Sequence, residues 1–131
     1  MIGLLVLSHG NLCTGLLHTA KTIAGFDEKM EAIALQAEDN IEEYAVKMEK
    51  AIKELDDGDG VLVMVDLLGG TPFNKSTVLY KQYNIEVVTG VSIPMLFAAI
   101  EGRMMGKSLK ELSGYCTESA REGIKSLSEL V

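Results

Sequence analysis

Two short stretches, residues 2–7 and Val61–Val65, are almost wholly aliphatic, and each breaks off at a polar residue. A strand with one wet face alternates apolar and polar side chains, whereas a continuous apolar run suits a strand buried on both faces. Both faces of a sheet are covered only when helices pack on each side, and the intervening segments supply them. Leu12–Ala24 reads as a helix stopped by Gly25. A second, weaker strand covers 31–35. Ile41, Ala45, Met48, Ile52 and Leu55 recur at intervals of three and four, on one face of a helix. Asp39 or Asn40 can cap that helix, and the run Asp56-Asp57-Gly58-Asp59-Gly60 ends it.

Val61–Val65 stops at Asp66. After Leu67-Leu68-Gly69-Gly70 a helix is expected to take Thr71 as its cap and Pro72 as its first residue. Ile85–Thr89 reads as a fourth strand and Pro94 opens a further helix. Ser108-Leu109-Lys110-Glu111 has the form of a capping box before the last one. This alternation predicts a doubly wound α/β fold, with a mainly parallel sheet and helices on both faces. Because crossovers are right-handed, helices reach both faces only if the winding reverses once. A crevice then opens at the carboxyl ends of the two strands where it does. With strand order 2-1-3-4 those are strands one and three, whose carboxyl ends carry His9 and Asp66.

A chain of 131 residues suits one domain, 1–131. Its formal net charge of −7, with no cluster of Lys and Arg, argues against nucleic acid and favours a basic protein partner. The two cysteines, Cys13 and Cys116, form no C-x-x-C pair and read as idle thiols of a reducing compartment. No apolar stretch reaches the ~18–20 residues of a membrane span, and the start lacks a signal-peptide pattern, so a cytoplasmic location is expected.

Three features at the expected crevice carry chemistry. His9 follows the first apolar run, within the turn-prone Ser8-His9-Gly10-Asn11, and Gly10 beside it removes a side chain that could block approach. A lone histidine is most often structural, but Asp66 gives this one a partner. A carboxylate accepting from Nδ1–H holds the imidazole in one tautomer, frees the Nε2 lone pair as nucleophile, and stabilises positive charge on the ring. The third feature is Gly69-Gly70-Thr71-Pro72-Phe73-Asn74. Its glycines let backbone N–H groups approach an anion at the start of a helix, and Thr71 adds a hydroxyl. No G-K-[ST] follows, so this is not a nucleotide P-loop. Taken alone, the segment is a turn into a helix. Beside His9 and Asp66 it describes a cradle for a phosphoryl group next to a nucleophilic imidazole, while two His and two Cys at these spacings offer no convergent set of metal ligands.

The segments Ser8-His9-Gly10, Val65-Asp66-Leu67-Leu68-Gly69-Gly70-Thr71-Pro72-Phe73-Asn74 and Thr89-Gly90-Val91-Ser92-Ile93-Pro94-Met95-Leu96 resemble the enzyme IIA domain of the mannose/fructose/sorbose class of the bacterial sugar phosphotransferase system. Glu118-Ser119-Ala120-Arg121-Glu122-Gly123 fits as well, so that the likeness runs over nearly the whole chain. The resemblance implies that His9 accepts a phosphoryl group on Nε2 from the phosphocarrier protein HPr and passes it to a IIB component. The membrane IIC and IID components would act downstream. Asp66 would hold Nδ1, and Thr71, Gly70 and Gly10 would surround the phosphoryl group, with no cofactor. It also implies a homodimer and a 2-1-3-4 sheet, to which some members add an antiparallel edge strand exchanged between subunits. Some relatives carry Trp at the position of Leu68 and Ser at that of Thr71. The chain stops at Val131 without a Pro/Ala-rich linker, which fits a separate IIA polypeptide. The sugar is not legible, because its choice resides in the membrane components.

Other residues read as background. His18 in the first helix is expected to face solvent or meet a partner, Met104-Met105 to fill core in preference to forming an adaptable contact surface, and Asp56-Asp57-Gly58-Asp59 to be a solvated loop without EF-hand spacing. The position of Arg103 relative to the crevice is not set by the sequence. Leu67-Leu68 reads as an apolar docking surface that shields the histidine from water. Three rivals compete with the carrier reading. A histidine phosphatase would need Arg where Ser8 stands, together with a second catalytic His. A small chelatase would have no use for Asp66 or the glycine turn. A receiver-like binding module would show an acidic pair where Ser8-His9 stands.

Overall fold

The computed structural model describes residues 1–25 and 28–131. Its elements follow the expected alternation: β1 (Gly3–His9), α1 (Leu12–Ala24), β2 (Met30–Leu35), α2 (Ile41–Leu55), β3 (Val61–Val65), α3 (Gly70–Tyr80), β4 (Ile85–Thr89), α4 (Ile93–Met104) and α5 (Leu109–Glu122), with a closing 3-10 turn at Leu127–Glu129. The four strands are parallel and lie in the order β2-β1-β3-β4. No antiparallel edge strand is present among the described residues. The winding reverses between β1 and β3, so the crevice opens where those two strands end.

Side chains alternate across each strand, and this divides the core in two. Leu4, Val6, Leu62 and Met64 meet α1, α4 and α5 through Cys13, Leu17, Leu96, Ala99 and Leu112. Leu5, Leu7, Val61, Val63 and Val65 meet α2 through Tyr44, Met48, Ile52 and Leu55. Each such fully buried aliphatic side chain contributes about 1.5–3 kcal/mol. The doubly covered sheet is therefore what the continuous apolar runs encode.

Four expectations need correction. The buried stripe of α2 is rotated from the predicted one. Tyr44 and Ala51 lie inside with Met48, Ile52 and Leu55, while Ile41 is exposed and Ala45 only half-buried. The Tyr44 hydroxyl finds an acceptor in the Ile33 carbonyl at 2.8 Å, which makes burial of this ring permissible. Helix α3 begins at Gly70 with Gly69 as cap, so Thr71 lies inside the first turn and Pro72 at its third residue. The two glycines have φ of +83° and +77°, a conformation open to residues without Cβ, and this lets the helix start early. Ile93, not Pro94, is the first residue of α4, and Ser92 caps it through a hydrogen bond from Met95 N–H. Met104 and Met105, expected in the core, are 70% and 60% exposed, because α4 ends there and turns away at Gly106.

Asn40 caps α2, and Ser108 with Glu111 forms the capping box of α5. Cys13 and Cys116 are buried free thiols, and burial pushes the Cys116 thiol up to about 12. No described helix is long and apolar enough to cross a membrane.

Candidate active site

His9 is the last residue of β1, and Asp66 follows directly on β3. The ladder brings them together. Leu7 pairs with Val65, and the Asp66 N–H donates to the Leu7 carbonyl at 3.1 Å. From there the carboxylate reaches back to the histidine. Asp66 Oδ2 accepts the backbone N–H of His9 at 2.9 Å and lies 2.8 Å from the ring Nδ1. Oδ1 accepts the Leu67 N–H at 3.0 Å. Burial alone would raise the Asp66 carboxyl, but the backbone and ring donors of His9 and the Leu67 N–H outweigh it and hold it below the usual carboxylate value. The Asp66 side chain is 9% exposed and the His9 ring 46%, so a buried anion orients a ring that is open to an incoming group. With Nδ1–H donating to the carboxylate, Nε2 keeps its lone pair.

The far edge of the ring faces the start of α3. A Cβ built on Gly70 would lie 2.9 Å from His9 Cε1 and 3.3 Å from Nε2. Only a glycine lets the first turn of the helix, with its unpaired N–H groups, come this close to the imidazole. Thr71, half-buried in that turn, shares with His9 and Gly10 a recess of about 470 Å³, whose other wall is the β2–α2 loop from Leu35 to Asp39. Gly10 turns at φ +60°, with open space where its Cβ would stand. The arrangement thus joins His9, Asp66, Gly70, Thr71 and Gly10. Leu67 and Leu68 form an exposed rim beside it, with Leu68 75% exposed.

Other residues lie elsewhere. His18 is exposed on α1. Arg103 is buried at the opposite end of the sheet, where its guanidinium donates to the carbonyls of Ile2 and Lys29. Lys75, one turn into α3, is paired with Glu42 at 3.0 Å. Among the described residues no three His, Cys, Asp or Glu side chains are grouped to hold a metal ion. A wider cleft of about 560 Å³ runs beside β4 between α4 and α5, but neither histidine nor carboxylate lines it.

Sequence reasoning missed the β2–α2 loop as a wall of the site, and the burial of Ser8 next to His9 in the chain. The loop carries no motif, and its approach to His9 depends on β2 pairing with β1. Strand periodicity offered a signal for Ser8, since it puts that residue on the face opposite His9.

A histidine hydrogen-bonded to a carboxylate from the neighbouring strand, at the switch point of a doubly wound parallel sheet, defines an α/β protein whose second imidazole nitrogen faces the start of a helix. Residues 3–114 match the family described as PTS system fructose IIA component, where PTS is the phosphotransferase system, and the chain belongs to that family. It is 35% identical over 127 residues to the PTS system mannose-specific EIIAB component of Escherichia coli (strain K12), covering 96% of this chain and 39% of that protein. The chain therefore spans about two-fifths of the length of the curated relatives it matches first. Among solved structures, phosphotransferase system component EIIA from Streptococcus agalactiae superposes with a TM-score of 0.91 at 32% identity, covering 98% of this chain and 99% of that one. The mannose/sorbose specific IIA subunit from Enterococcus faecalis gives 0.82 at 27% identity, covering 95% and 93%.

Proposed function

We propose that the chain, as a single IIA domain over 1–131, is a phosphocarrier. In this reading His9 accepts a phosphoryl group on Nε2 from HPr and passes it to a IIB component, upstream of the membrane IIC and IID components and on the cytoplasmic side. The observation that carries the reading is the pairing of the 2.8 Å contact between Nδ1 and Asp66 with the close approach of Gly70 to the Nε2 edge. Family membership supports it independently.

The step balances simply. The Nε2 lone pair of His9 attacks the phosphorus of the donor phosphohistidine. As the new N–P bond forms, the donor's N–P bond breaks and its electron pair leaves with the donor imidazole. The proton on Nδ1 of His9 stays in place, the ring becomes cationic, and the Asp66 carboxylate faces that charge. Thr71 and the first N–H groups of α3 receive the phosphoryl oxygens. A helix N-terminus adds only about 0.3–2 kcal/mol toward an anion, enough to orient the group and little enough to let it leave again. No cofactor enters the step. Leu67 and Leu68 would be covered by the partner, which removes water from the phosphohistidine. A homodimer would cover one of the two open sheet edges, β2 or β4.

The test is incubation with labelled phosphoenolpyruvate, enzyme I and HPr. Acid-labile, alkali-stable label that disappears in His9→Ala supports the carrier. Steady release of free phosphate, or label that persists in His9→Ala, contradicts it.

A further inference from the structure

Ser8 is wholly buried at the end of β1, one residue before the histidine. Its Oγ accepts the Cys13 N–H at 2.8 Å and donates to the Gly10 carbonyl at 3.1 Å. Cys13 is the second residue of α1, whose cap residue Asn11 makes no side-chain cap bond. The acceptor that a helix start ordinarily takes from its cap here comes from three residues upstream. Asn11 instead accepts from Gln36 Nε2 at 2.7 Å, and the Gly10 N–H donates to the Leu35 carbonyl at 2.8 Å. One hydroxyl therefore ties the strand end, the left-handed turn at Gly10 and the first turn of α1 into a unit in which His9 sits. The His9 ring is nearly half exposed, so side-chain packing does not hold it. Its contact with Asp66, and the backbone that carries the residue to that contact, do.

We propose that Ser8 is a positioning residue for the chemistry of His9. It acts through the His9-Gly10 backbone to keep Nδ1 on Asp66 and Nε2 toward Gly70. This rests on the reading of His9 as phosphoryl acceptor. Without the hydroxyl, the Cys13 N–H and the Gly10 carbonyl lose their shared partner and the turn gains freedom. The ring then spends part of its time off the carboxylate, and nothing there fixes the proton on Nδ1. The consequence is a change in tautomer population, which a merely structural role would not produce.

The experiment compares wild type, Ser8→Ala, Ser8→Thr and the distant core variant Ile52→Val. Three quantities are measured on each: melting temperature, the imidazole tautomer ratio of His9 from 15N NMR, and the rate of labelling by phospho-HPr. Ser8→Ala is expected to raise the Nε2–H fraction and slow labelling about tenfold, the scale of loss for a modest misplacement of a reacting group. Ser8→Thr, which keeps the hydroxyl, should restore both. Ile52→Val should lower only the melting temperature. A folded Ser8→Ala with the wild-type tautomer ratio and rate overturns the proposal, whatever its stability. If Ser8→Ala does not fold, Ser8→Cys serves, its thiol being a weak donor and acceptor. A tautomer shift of the same sign then supports the proposal, and an unmoved ratio overturns it. Failure of wild type to be labelled on His9 would instead sink the carrier reading, while the tautomer ratios still decide the role of Ser8.

Discussion

Oδ2 of Asp66 takes two donors from a single residue: the backbone N–H of His9 at 2.9 Å and the Nδ1 side of its ring at 2.8 Å. Main chain and side chain of the histidine are thus referenced to one oxygen, and that oxygen is held by β3, the strand hydrogen-bonded to β1. The ring cannot drift relative to the sheet without losing this contact.

Asp66→Asn should fold but carry phosphate poorly. The native carboxylate accepts on both oxygens, from His9 and from Leu67. An amide has one acceptor and one donor, so either orientation sets its NH₂ against an N–H. With the NH₂ toward the ring, the favoured tautomer inverts and Nε2 loses its lone pair. Labelling by phospho-HPr should fall about 100-fold or more with circular dichroism unchanged. A wild-type rate would remove the tautomer argument.

The same carboxylate predicts an acid-sensitive share of stability. The folded pKa of Asp66 is depressed below its unfolded value. Its contribution is therefore present above that value and is lost as pH falls through the folded pKa. Wild type should melt above Asp66→Asn at about pH 5, and the gap should close as acidification protonates the folded carboxylate. A gap that widens on acidification would contradict the sign.

Gly70→Ala tests the approach of α3 to the imidazole. The added Cβ would stand 2.9 Å from His9 Cε1, at a φ of +77° that side chains rarely adopt. The helix start or the ring must move. Phosphoryl acceptance should drop about 10- to 100-fold, and the His9 ring resonances should shift. Normal transfer kinetics would mean that the close approach is incidental.

Arg103→Met separates stability from chemistry. The guanidinium ties the carbonyls of Ile2 and Lys29 together at the end of the sheet away from His9, beside a turn where Lys29 has φ +53°. Its loss should lower unfolding free energy by about 2–4 kcal/mol in denaturant titrations. The labelling rate per folded molecule should stay within a factor of about two, since no proposed site residue is touched.

Much of this was legible before any coordinates. Leu12–Ala24, Val61–Val65 and Ile85–Thr89 match their expected bounds because Gly, Asp or a polar turn punctuates each. His9 and Asp66 could be paired because each ends a doubly buried strand, and strand order then brings such ends together. Two kinds of feature were not legible. The early start of α3 depends on paired left-handed glycines, which only the path of the chain reveals. The inward turn of Tyr44 depends on which side of a helix meets the sheet, which an apolar pattern fixes only to within a residue or so, and the exposure of Met104 depends on where α4 ends. The hydroxyl of Ser8 looks like part of a turn in the sequence, since nothing there announces that Cys13 returns its N–H to it.

The central claim is that Asp66 holds the proton of His9 on Nδ1 so that Nε2 carries the phosphate. The most direct measurement is 31P–15N correlation NMR on 15N-histidine-labelled protein phosphorylated by phospho-HPr. The account predicts phosphorus coupled to Nε2 of His9, with Nδ1 protonated. Coupling to Nδ1, or phosphorus on any other residue, would contradict it.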